Sequence, residues 1–144
     1  MFKNIAVGTD GSSTADKAVA AAAELARQWG AKLHVVTAQR PPTTGMADLA
    51  GVPSPLDPWG EHALSQEVAI EVGQRAIDTW ATGITADLYG VVGNPAQAIC
   101  DVATEVGADL VVVGSKGMHR RVLGSVPNSV SHNAPCAVLI VKTD

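Results

Sequence analysis

GSKGMHRRVLGS, residues 114–125, sets three glycines and two serines around Lys116, Arg120 and Arg121, directly after the apolar run ADLVVV. Gly-x-x-Gly leaving a strand and Gly-Ser entering a helix are the parts of an anion cradle. Glycine lets backbone N–H groups approach a ligand closely, and a helix N-terminus adds partial positive charge. A phosphate there would meet amides near Gly124 and Ser125 and the Ser125 hydroxyl, with the cationic side chains as countercharge. The same residues also serve an ordinary turn in which Ser125 is only a helix cap, so the pattern alone leaves both readings open. Asp10, in TDGS, is by spacing an Asx-turn or helix-capping residue.

Other chemistries find less support. The four histidines (His34, His62, His119, His132) and two cysteines (Cys100, Cys136) have no metal-ligand spacing. No Gly-x-Ser-x-Gly elbow, no P-loop and no Gly-x-Gly-x-x-Gly after the first strand is present. No nucleophile is paired with a general base, so neither a catalytic residue nor a metal ligand is assigned.

The elements that must position the loop follow from periodicity. KNIAVGT (residues 3–9) is a strand, and the alanine-rich stretch after it repeats apolar residues at Ala18, Ala22, Leu25, Ala26 and Trp29 until Gly30. KLHVVTA (residues 32–38) is a second strand. Residues 39–60 hold five of the eight prolines and little periodicity, which suggests a lid, a binding loop or disorder. Helical spacing returns through Leu64, Val68, Val72, Ala76, Ile77 and Trp80, followed by a weakly alternating strand, ITADLYGVV. Asn94-Pro95 then supplies an N-cap and a proline at the first helical position. DLVVVG is the most hydrophobic strand and is expected at the sheet centre. A short helix over VPNSVSHNA and a final strand, CAVLIVK, complete the pattern.

Strands alternating with helices predict a five-stranded parallel sheet, doubly wound with helices on both faces. The 144 residues suit one domain, residues 1–144. The chain is 47% hydrophobic and 17% charged, and aromatics make up only 3%, so aliphatic residues must fill the core. A net charge of −4 without like-charge blocks argues against a nucleic-acid or membrane-surface binder. No run has the length of a membrane span and the start has no signal-peptide pattern, so the expectation is a cytoplasmic protein with reduced, buried cysteines.

Three stretches together resemble the universal stress protein family: IAVGTDGS at the first strand, the Gly-x-x-Gly…Gly-Ser loop, and LGSVPNSVSHNAPCAVLIVK. The resemblance covers the whole chain. It implies a Rossmann-like fold of the adenine nucleotide alpha hydrolase type and binding of ATP or another adenine nucleotide, with Mg²⁺ where a triphosphate binds. By position it implies that Gly114, Gly117, Gly124 and Ser125 surround the phosphates, with Val126 following on the helix, and Lys116 is expected as a charge partner. Thr9 and Asp10 would lie on the ribose side, and Val35 would meet adenine through its backbone. The family spacing is Gly-x2-Gly-x9-Gly-Ser/Thr, whereas only six residues separate Gly117 from Gly124 here.

The resemblance further implies a stress-response regulator or sensor with at most slow ATP hydrolysis, and a homodimer formed through the apolar C-terminal edge strand. The shortened loop supports an alternative, a nucleotide-independent interaction module of the same fold. An adenylyltransferase is a third possibility, but the histidine and lysine motifs that it needs are missing.

Overall fold

Short runs of valine, isoleucine and leucine form one parallel sheet in the computed structural model, which describes residues 1–39, 60–115 and 123–143. In chain order the elements are β1 (Asn4–Thr9), α1 (Ser13–Trp29), β2 (Lys32–Gln39), α2 (Gly60–Trp80), β3 (Ala86–Val92), α3 (Pro95–Glu105), β4 (Leu110–Gly114), α4 (Ser125–Asn133) and β5 (Ala137–Val141). The sheet order is β3-β2-β1-β4-β5, with every pairing parallel. The central strand is therefore β1, and β4 lies beside it. The strong hydrophobicity of β4 reflects cover on both faces, which any interior strand requires. The proline-rich stretch, expected to be a lid, a binding loop or disorder, lies outside the described residues apart from its two ends.

Alternate residues of each strand enter two separate cores. Ile5, Val7, Leu33, Val35, Leu110 and Val112 pack against α1 and α2. Ala6, Val36, Val111 and Val113 pack against α3, with Val130 of α4. Helix α1 presents Ala18, Ala22, Ala23 and Ala26, whose small side chains bring it close to the sheet. Trp29, expected on that stripe, is instead 37% exposed and stacks on Phe2 with ring centroids 4.8 Å apart.

On helix α2 the expected Ala76, Ile77 and Trp80 reach the core, and one member of the stripe is corrected. The sheet-facing residues of the helix include Ala69, Gly73 and Ala76, whereas Val68 is exposed. A Cβ on Gly73 would overlap Leu88 and come 3.1 Å from Thr37 Cγ2, so glycine permits the close approach. The Thr37 hydroxyl donates to the Ala69 carbonyl, at 2.5 Å, across that contact.

Cys100 is buried as expected, but Cys136 is only partly so. Both are free thiols, and burial raises the pKa of each. No helix among the described residues is long and apolar enough to cross a membrane.

His34, 3% exposed, is buried between β1 and β3. Its Nε2 lies 3.0 Å from Asn4 Oδ1 and its Nδ1 3.4 Å from the Tyr89 hydroxyl. Burial chiefly, then the charge of Lys32, lowers its pKa from 6.5, with Asp87 opposing. The fold thus favours the neutral ring, and the unfolded chain binds the proton more readily. Stability from this site is complete above the ordinary histidine value and is lost as pH falls toward the lowered one. Thermal unfolding between about pH 7.5 and pH 5 should show a falling midpoint, with a shallower fall in His34→Gln. Equal slopes in the two proteins would remove His34 as the cause.

Candidate functional site

The first two crossovers, through α1 and α2, run over one face of the sheet. The chain then returns through α3 on the other face to form β4. Strand order consequently reverses between β1 and β4, which is where an open α/β sheet leaves a crevice at its strand carboxyl ends. A cleft of about 380 Å³ opens there. Gly8, Thr9 and Asp10 at the end of β1, with Val113 and Gly114 at the end of β4, form its base. Val36 and Ala38 of β2, together with Pro95 and Ile99 of α3, make an apolar wall. Gly124, Ser125, Val126 and Pro127 contribute the start of α4, and Ala15 the first turn of α1.

Local chemistry explains the base. Ser12 is the N-cap of α1, its hydroxyl accepting the Ala15 N–H at 3.2 Å. Asp10 Oδ1 accepts the Ser12 N–H at 2.9 Å, the Asx-turn anticipated from its spacing. Thr9 Oγ1 accepts the Gly11 N–H at 3.1 Å, and Gly11 takes φ +80, a conformation suited to glycine. These bonds fix the turn that carries Thr9 and Asp10 to the cleft. Gly8 has another role: a Cβ there would overlap the Ile99 side chain. Its hydrogen lets α3 seat Ile99 over β1.

The helix starts differ in how they are capped. Asn94 Oδ1 accepts the Gln97 N–H at 3.1 Å and Pro95 opens α3, as expected. At α4 the N-cap is Gly124, not Ser125, which is already the first helical residue. Gly124 has φ −60 and ψ 164, and as a glycine it has no side chain with which to cap the helix. Its carbonyl accepts the Asn128 N–H at 3.0 Å, while Pro127 has no N–H to offer. The first-turn amides of Ser125 and Val126 therefore receive no side-chain cap from the N-cap residue, and both residues line the cleft. Among the described lining residues, Asp10 is the one titratable group.

The fold brings together Thr9, Asp10, Gly114, Gly124, Ser125 and Val126, and it does not bring Val35 with them. Val35 lies within the ladder between Val7 and Leu88, and its side chain enters the core beneath α1 and α2. Val36 and Ala38 reach the cleft instead, because strand residues alternate between faces. Lys116 and Gly117 lie outside the described residues.

Sequence reasoning missed Gly8, Ala15, Val36, Ala38, Pro95, Ile99, Val113 and Pro127. A glycine inside β1 was the available signal, since it marks a face that another element approaches closely. Among the described residues no group of three or more His, Cys, Asp or Glu is placed to hold a metal ion.

The model of the universal stress protein family matches residues 1–142. A universal stress protein of Thermus aquaticus is 36% identical over 146 residues, covering 99% of this chain and all of the relative. One from Bacillus subtilis is 32% identical over 149 residues, again with 99% and 100% coverage. A crystal structure of a universal stress protein in complex with cAMP is 34% identical. It superimposes with a TM-score of 0.69, covering 99% of this chain and 98% of the other.

Proposed function

The chain belongs to the universal stress protein family, and on that premise we propose that its cleft binds an adenine nucleotide, ATP among them. The observation that carries this reading is the pairing, in one crevice, of an apolar wall with a helix N-terminus whose N-cap residue is a glycine. Val36, Ala38, Pro95 and Ile99 suit the faces of a base. The amides of Ser125 and Val126 suit a phosphate. Thr9 and Asp10, which line the same cleft, suit the ribose side. The structural relative solved with cAMP supports an adenine ligand. Lys116 and Gly117 would complete the phosphate side.

Binding by amides and apolar contact, with Asp10 already engaged in its turn, favours a sensor or regulator over an enzyme, with ATP hydrolysis slow at most. A triphosphate would bring Mg²⁺ as its own counter-ion, bridging phosphate oxygens. The apolar edge strand β5, on which Leu139 is 37% exposed, is proposed to pair with a second copy. We further propose a cytoplasmic role in the stress response, for which the family resemblance is the support.

The test is to denature the purified protein, identify any released nucleotide, and titrate ATP, ADP, AMP and cAMP by calorimetry. Micromolar binding, about −8 kcal/mol, is expected for at least one of them. Absence of binding to all four would sink this reading and favour the interaction module that the shortened glycine loop also permits.

A further inference from the structure

Beside the cleft, under α1, two hydroxyl side chains are buried together. Ser115 is 2% exposed and Thr143 4% exposed, although one follows β4 and the other lies beyond β5. Ser115 N–H donates to the Val141 carbonyl at 2.9 Å, extending the β4–β5 pairing by one residue. Thr143 N–H donates to Ser115 Oγ at 3.1 Å, and the two hydroxyl oxygens lie 3.3 Å apart. Lys17 of α1 donates from Nζ to the Thr143 carbonyl at 2.9 Å. The Thr143 methyl occupies the space beside Gly114, where a Cβ would come within 3.0 Å of it.

These contacts join α1, the end of β4 and the segment after β5 at one point. Burying polar groups is tolerated when each is satisfied, and such a network fixes a single arrangement of the chain. The arrangement fixed here is that of the Gly114–Ser115 backbone. Gly114 lines the cleft; Thr143 is not among its lining residues.

We propose that Thr143 is a positioning residue for the phosphate side of the cleft. Held by Ser115 and Lys17, it sets where the backbone leaves β4 and so where Gly114 faces a ligand. The inference rests on the nucleotide-binding reading above, and it assigns a binding consequence to a residue outside the cleft.

The experiment compares the full chain with Thr143→Val, Thr143→Ser and Lys17→Met, titrating ATP and adenosine and recording thermal unfolding. Thr143→Val keeps the shape and removes the hydroxyl. It should weaken ATP about tenfold, the scale of one lost hydrogen bond, and leave adenosine within about twofold. Thr143→Ser restores the hydroxyl and should bind ATP nearly as the parent does. Lys17→Met, a change on the surface of α1, should shift ATP in the same direction even if the valine variant fails to fold. Equal loss of ATP and adenosine would reduce Thr143 to a general structural residue and overturn the proposal, as would parental affinity in both Thr143→Val and Lys17→Met. A parent chain that binds neither ligand overturns the nucleotide reading along with it.

Discussion

Gly124→Asp should lose nucleotide binding by at least about a hundredfold while the protein stays folded. A carboxylate about 4 Å from a phosphate charge is opposed by roughly 4 kcal/mol at an effective dielectric near 20, and each 1.4 kcal/mol or so is tenfold in affinity. The lower figure allows the side chain to turn partly away. The backbone accepts the change, because φ −60 and ψ 164 are open to any residue. Aspartate is also a preferred N-cap, so the helix itself should gain. Gly124→Asn provides the uncharged control: it caps equally and should keep most of the affinity. Calorimetry and thermal unfolding on the three proteins separate these effects. Undiminished nucleotide affinity in a folded aspartate variant would remove the phosphate from the start of α4.

The second large effect concerns the seat of Ile99 over β1. A methyl on Gly8 would overlap Ile99 Cδ1 and approach Cγ1 at 3.0 Å. Gly8→Ala should therefore cost about 1–3 kcal/mol by overpacking and push Ile99 into the apolar part of the cleft, weakening adenosine and ATP alike. Ile99→Val removes the overlapping methyl. The double variant should accordingly recover much of the stability and affinity, more than the two single changes would predict if they added. Denaturant unfolding of the four proteins checks this. Strict additivity would show that Gly8 and Ile99 do not compete for the same space.

Much of this arrangement is legible in the sequence. Five apolar runs separated by helical periods defined the sheet, and turn chemistry marked Asp10-Gly11-Ser12 and Asn94-Pro95. Both turns place their residues as anticipated. What the sequence did not show was which side chains of β2 line the cleft. Val35 and Val36 are the same residue type, and nothing local says which one faces α3. The register does: Val36 pairs with Gly8 and Val35 with Val7, so the face of the internal glycine is the face of the cleft. The stripe on α2 holds at Ala76, Ile77 and Trp80 and goes astray at Val68. Large residues dominate a hydrophobic period, so Ala69 and Gly73, the small ones that pack closely against β2 and β3, do not stand out. The clasp at Thr143 was invisible, because its members come from three distant segments and none is hydrophobic.

The two outer strands of the sheet are unlike each other. β5 reads Ala-Val-Leu-Ile-Val without a charge. β3 includes Asp87, whose carboxylate is 44% exposed and lies 2.6 Å from the Lys32 ammonium. Charge on an outer strand discourages a further strand from joining, and an apolar strand without charge invites one. If two copies meet through β5, as proposed, each uses up the receptive border of the other, and the composite sheet ends on β3 at both extremities. Growth then stops at two chains, because no receptive border is left from which a fibre could extend.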